Sequence, residues 1–194
     1  MKNNVFETRR LVLFLSNKSL AEGVYDYYNR NREFHTPWES RKSEGFYTVK
    51  HIRRVLKADV KAMGKLRYLC FWIAKREEPK KIIGAVTMSP IYFGNACSCN
   101  IGYKLDKDEE GKGYMTEAVK FILSFAFNTL GLHRVESCII PRNDKSRSVL
   151  QKCGFEKIGF SKEYLEINGK WEDHEIYDIN KNKWLSLNSM ERES

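Results

Sequence analysis

No stretch of the 194-residue chain is long and apolar enough to cross a bilayer as a helix, so a membrane-spanning protein is not expected. The opening "MKNNVFETRRLVLFLSNKS" has an apolar run too short and too interrupted for a secretory h-region, and a cytoplasmic location is the expectation. Internal repeats, low-complexity tracts and linkers are all missing. The five cysteines are an odd number in a chain without an export signal, which argues for reduced thiols rather than a disulfide framework. "CSC" at Cys97 and Cys99 lacks the CxxC pairs and histidine spacings of zinc sites, so core thiols are expected and no metal. Two common nucleotide loops are missing too. No GxxxxGK followed by Ser or Thr occurs, and the near-match to GxGxxG has Thr116 where its third glycine belongs, which removes the main support for kinase and dehydrogenase readings.

What is present is an ordinary globular composition, 42% hydrophobic and 30% charged, enough for one domain with a sizeable core. The formal net charge of +9 favours a polyanionic partner: a phosphorylated cofactor, an acidic peptide or ribosomal RNA. A solvated basic surface that aids solubility is the plainer explanation of the same charge.

Periodicity and turn signals predict a strand over 8–16, a helix over 17–39 that must stop before Pro37, and a second helix within 45–64. Strands over 66–76 and 81–93 flank the turn-forming "EEPK", and another spans 96–105. From Tyr114 to Leu130 the apolar residues recur at helical spacing, and Gly131 ends the run. A strand over 133–141, a short helix over 144–153 and a hairpin turning at "NG" complete the order. The expected domain is residues 1–184, with 185–194 a loose tail. The succession implies a mixed α/β layer with helices against one sheet.

"DEEGKGYMTE" at 108–117 carries the chemistry. A glycine-rich turn between strand and helix lets backbone N–H groups approach an anion while the helix N-terminus adds positive partial charge. Gly111 and Gly113 would supply the permissive backbone, Lys112 a cation, and the amides of Lys112, Gly113, Tyr114, Met115 and Thr116 the cradle. A tight turn without a ligand is the competing explanation.

"LDKDEEGKGYMTEAVKFILSFAF" together with "HRVESCIIPRNDKSRSVLQKCGF" resembles the GNAT superfamily of acetyl-CoA-dependent N-acyltransferases. "YYNRNREFHTPWE" and "GFSKEYLEINGKWEDHEIY" resemble its ribosomal-protein N-terminal acetyltransferases of the RimJ and RimL type, RimJ most closely, so the likeness covers almost the whole chain. It implies a seven-stranded, mixed, mostly antiparallel sheet splayed after the fourth strand, with helices on both faces. It also implies that acetyl-CoA is the co-substrate, that backbone at Gly102, Tyr103 and Lys104 pairs with the pantetheine arm, and that Asn143 bonds that arm. Asn143 and Asp144 also suit helix capping. Ser146 would sit near the thioester sulfur and assist the departing thiolate, because the position where many relatives have a tyrosine is Leu150.

The family's usual carboxylate before "IGY" is Asn100 here, which leaves the general base open between Glu163 and Glu39. An α-amine with a pKa near 8 is already about 10% neutral at pH 7, against roughly 0.04% for lysine, so a protein N-terminus needs less help. Tyr28, Trp38, Glu39 and Asn100 are the expected acceptor-side residues, with Tyr27, Phe34 and Trp171 as further aromatics that either line the cleft or pack in the core. The implied reaction is acetyl transfer to a protein α-amine, with a ribosomal protein as acceptor and weak ribosome or RNA association, in a monomer or homodimer. The alternatives are a small amine acceptor (polyamine, aminoglycoside or amino acid) and a non-catalytic RNA-binding module of the same fold.

Overall fold

A computed structural model describes residues 4–193, with side chains to Ser189. The first three residues of the expected domain and the last of the expected tail lie outside this range. Strands β1 (Val5–Glu7), β2 (Leu11–Leu15), β3 (Leu69–Lys75), β4 (Glu78–Tyr92), β5 (Ser98–Leu105), β6 (Arg134–Ile139), β7 (Glu156–Ile167) and β8 (Lys170–Asn180) form one sheet. Its order is β1-β2-β3-β4-β5-β6-β8-β7, eight strands where seven were expected. The additional one is β1, three residues that precede the strand expected over 8–16 and pair with it as an antiparallel edge.

The centre of the sheet is buried on both faces. "LCFWIA" of β3 is buried throughout, as a strand covered on both sides requires. Phe71 and Ile73 point into one core cluster, Cys70 and Trp72 into the other. On the second face lie α1 (Ala21–Arg30) and α3 (Val49–Met63), which bury Val24, Tyr27, Ile52 and Leu56 there. The first face takes α4 (Tyr114–Ser124) and α5 (Asp144–Lys152), through Met115, Ala118, Val119, Ile122 and Leu150.

The predicted helix over 17–39 breaks at Asn31 into α1 and the single turn α2 (Arg32–His35), followed by a 3-10 turn through Pro37. Asn31 is the reason: its Nδ2 donates to the Tyr27 carbonyl and its Oδ1 accepts from the Lys107 amide, so a side chain competes with the helix ladder. The last turn of the central helix widens into a π-helical segment at Phe125–Thr129. The segment expected as a loose tail is largely helical. Helix α6 (Lys181–Glu193) is anchored by Trp184, whose ring lies 5.3 Å from that of Phe127, and by Leu187 against Gly154. Two apolar contacts one turn apart hold the segment, a spacing that a short polar sequence conceals.

Every neighbouring pair is antiparallel except β5 and β6, which run parallel and register only at Ser98↔Arg134, Cys99↔Val135 and Asn100↔Glu136. Beyond Asn100 the two strands part, β6 continuing against β8 alone and β5 against β4 alone. The sheet therefore splays where the resemblance implied.

On the closed side of β5, an added Cβ at Gly84 would stand 2.6 Å from the Lys104 carbonyl oxygen, a backbone atom that can yield only by moving a strand. Gly84→Ala is expected to cost about 2 kcal/mol, measured by urea denaturation; an unchanged midpoint would show that β4 and β5 have slack there.

Candidate active site

Between β5 and α4 the chain turns through Gly111 (φ +73°) and Gly113 (φ +78°), left-handed conformations that glycine adopts without a Cβ penalty. Gly113 is the N-cap of α4 and offers no side-chain cap, so the first-turn amides point outward without a side-chain acceptor from that residue. This turn is braced from the far end of the sequence. The Glu117 carboxylate accepts Thr8 Oγ1 (2.6 Å), the Arg10 amide (2.8 Å) and Arg10 Nε (2.7 Å). Arg10 then donates through its terminal nitrogen to the Lys112 carbonyl (2.9 Å) and lies over the Tyr114 ring at 4.6 Å. Burial pushes the Glu117 carboxyl up, but these donors outweigh it and hold the pKa below the usual range.

The open edge of β5 faces this turn. At the apex of the split Ser137 Oγ donates to the Ile101 carbonyl (3.0 Å). Further out, the Tyr103 hydroxyl donates to the Ser146 carbonyl on α5 (2.9 Å), and burial raises the pKa of this phenol. Asn143 caps α5, its Oδ1 accepting the Ser146 amide (3.1 Å). Trp38 and Phe34 overhang the same helix start, with Arg142 at 5.4 Å from the Trp38 ring and Lys145 at 5.9 Å from that of Phe34.

On the opposite face of β5, strand alternation aligns Asn100, Gly102 and Lys104. Lys104 Nζ donates to the Tyr28 hydroxyl (2.8 Å) and to Glu39 Oε1 (2.7 Å), while Lys42 is paired with Glu39 Oε2. Burial first, and the Lys104 charge second, lower the Lys42 pKa to about 8. His35, 7% exposed and 2.8 Å from the Tyr27 hydroxyl, is lowered to about 4 by burial and then by the same two ammoniums, so it is neutral at pH 7. Tyr28, His35, Glu39 and Lys42, together with Arg32, Arg41 and Asn168, border a cavity of about 630 Å3. The β7–β8 turn closes its rim, Asn168 donating its amide to the Glu39 carbonyl at 3.0 Å.

A glycine-braced anion cradle beside a split sheet is a specific combination, and the family model that describes an acetyltransferase (GNAT) domain matches residues 10–156. The chain belongs to the GNAT acetyltransferases. It is similar to the [ribosomal protein uS5]-alanine N-acetyltransferase of Escherichia coli (strain K12), with 32% identity over 179 residues that cover 91% of each chain. Among solved structures, ribosomal-protein-S5-alanine acetyltransferase from Vibrio fischeri superposes with a TM-score of 0.87 at 35% identity, covering 94% of this chain and 99% of the other. Mycobacterium smegmatis RimJ in complex with CoA-disulfide gives 0.85 at 26% identity, covering 92% and 88%.

The acetyltransferase's co-substrate is acetyl-CoA, and the residues present fit it: the glycine turn would suit a diphosphate, and the edge of β5 that β6 leaves beyond Ile101 would suit the amides of a pantetheine arm. The residues named from sequence distribute unevenly around it. Gly102 and Tyr103 lie on β5 past the split, Asn143 and Ser146 on the facing start of α5, and Gly111 through Thr116 make the turn into α4. The Lys112 ammonium, expected as the phosphate's cation, is held by Glu109 at 2.8 Å. The Lys104 side chain serves the acceptor side, joined to Tyr28 and Glu39. Glu163 is exposed on β7 at φ +45°, with its amide bonded to Asp173, and it does not border the cavity. Tyr27 is core, and Trp171 is 57% exposed beside the hairpin turn.

Sequence reasoning missed Thr8, Arg10 and Glu117, which act at separations above one hundred residues, and the Lys42 and Lys104 ammoniums on Glu39. "TRR" ahead of a strand and an acid in a first helical turn are too common to single out. Arg10→Ala is expected to raise the dissociation constant for acetyl-CoA about tenfold, the equivalent of about 1.4 kcal/mol, with turnover at saturation retained. Calorimetric titration checks this, and an unchanged constant would reject the brace.

Proposed function

We propose that this acetyltransferase modifies the N-terminal α-amine of a protein, with a ribosomal protein as acceptor, in the cytoplasm. The observation that carries the proposal is the lack of a carboxylate at the usual place on β5, where Asn100 stands: both Glu39 oxygens are taken by ammoniums, and the acid across from Asn100, Glu136, belongs to β6. A lysine acceptor would need such a base, whereas an α-amine with a pKa near 8 needs little help. The positive charge of Lys104 and Lys42 supports the same acceptor, because a nearby cation favours the neutral form of a bound amine. The acceptors named for the Escherichia coli and Vibrio fischeri relatives are of this class.

Bound acetyl-CoA supplies an activated acetyl thioester. Amides of Lys112, Gly113, Tyr114, Met115 and Thr116 hold its diphosphate, and Gly102, Tyr103 and Lys104 backbone aligns its arm, with N–H groups near Tyr103 facing the reacting carbonyl. Asn143 keeps its Nδ2 for the arm while Oδ1 caps α5. Trp38, Tyr28 and Asn100 border the acceptor's path; with Glu39 occupied and Glu163 away from the cavity, the amine binds already neutral, and the proton it loses on attack passes to the departing thiolate with the help of Ser146, directly or through water.

Two experiments test this. Thiol release from acetyl-CoA is expected with Ala-, Ser- or Met-initiated peptides and to be much slower with spermidine; release with small amines alone, or salt-sensitive RNA binding without any release, would overturn the assignment. Ser146→Ala is expected to lower kcat at least tenfold with little change in acetyl-CoA affinity. Unchanged kcat in that variant removes Ser146 from the chemistry.

A further inference from the structure

The charges around the acceptor cavity do not balance. Its lining brings together three cations, Arg32, Arg41 and Lys42, and two carboxylates, Glu39 and Glu44, and a fourth cation, Lys104, reaches Glu39 from β5. Glu44 is consumed by Arg32, and Glu39 is shared between Lys42 and Lys104. His35 adds no negative charge and no positive one at pH 7. Two positive charges are left over, one spread over the Glu39 cluster and one on Arg41, which makes no ion pair or hydrogen bond among the described residues.

An extended acceptor entering from this side brings its amine toward β5 and its following residues past Arg41. Arg41 lies two residues beyond Glu39, at most about 7 Å along the chain, and an extended peptide advances about 3.3 Å per residue. We infer that the enzyme selects acceptors carrying a carboxylate at the second to fourth residue, read by the guanidinium of Arg41 in a cavity of net positive charge. This rests on the N-terminal assignment above and adds to it a chemical class of acceptor. Arg suits the task because its planar fork accepts a carboxylate in two parallel hydrogen bonds and is weakly hydrated. A pocket of this sign also turns away polyamines and lysine-rich N-termini.

The test uses Ala-initiated decapeptides that differ only in Glu or Gln at position 2, 3 or 4, together with their N-acetylated products. With the full-length enzyme, kcat/KM for the best Glu peptide is expected to exceed its Gln twin about five- to tenfold, the size of one partly exposed ionic hydrogen bond. The acetylated Glu product should bind more tightly by a similar factor in fluorescence anisotropy, a readout independent of turnover. Arg41→Ala should bring both ratios close to one and Arg41→Lys should restore part of them. Arg41 is exposed and makes no contact that would unfold the variant. Equal rates and affinities for Glu and Gln peptides, or a preference for Lys at these positions, overturn the selection while leaving N-terminal acetylation standing. Failure of every peptide to react or bind would instead remove the acceptor class itself, and the inference with it.

Discussion

The structure depends on β5 losing its parallel partner after Asn100. Three registered pairs hold β5 to β6, and the next carbonyl, that of Ile101, is satisfied by the Ser137 side chain instead of a strand. Buried backbone groups are almost always paired, so an edge left open in mid-sheet is stable only if a side chain, water or ligand completes it. A thioester arm with two amides would be such a completion, and it would bind without the whole sheet having to open. The Tyr103 hydroxyl, donating across the gap to Ser146, sets the spacing on the outer side. The cleft is thus held at both its apex and its mouth.

The anionic end follows from the same economy of charge. Lys112 and Lys75 are drawn onto Glu109, and burial of that carboxyl, which alone would raise its pKa, is outweighed by the two ammoniums. What remains for a diphosphate is backbone: left-handed glycines and first-turn amides, held by Arg10 and Glu117. Fixed dipoles need no reorganisation when an anion arrives, whereas a flexible lysine loses side-chain entropy.

Much of this was legible in the sequence, and the boundary between what was and was not is physical. Helical spacing, the glycines at 111 and 113 and the cap at Asn143 are local signals, and each falls where the pattern placed it. The brace between Thr8, Arg10 and Glu117 joins residues more than one hundred positions apart, and no local rule couples them. The break at Asn31 depends on a partner at Lys107. Glu39 was singled out as an acceptor-side acid, but the ammoniums that neutralise it come from three residues on in the same loop and from a strand whose backbone alone had drawn notice. Trp184 illustrates the opposite failure, an aromatic in polar surroundings whose packing on Phe127 turns an expected tail into a helix.

Strand alternation gives the site its unity. Tyr103 and Lys104 are adjacent, yet one fixes the flank against α5 and the other gathers Tyr28 and Glu39 on the acceptor side. A slip of β5 by one residue would exchange them, driving an ammonium into an apolar cluster and a phenol into the cavity. Register is therefore as much a part of the machinery as any side chain. It is guarded where β4 and β5 touch most closely, at Gly84 under the Lys104 carbonyl, and by the irregularity between Met88 and Ile91 that ends free sliding. On the proposed assignment coenzyme and acceptor would lie on opposite faces of one strand and meet only at its open edge, where the acetyl group would pass from one to the other.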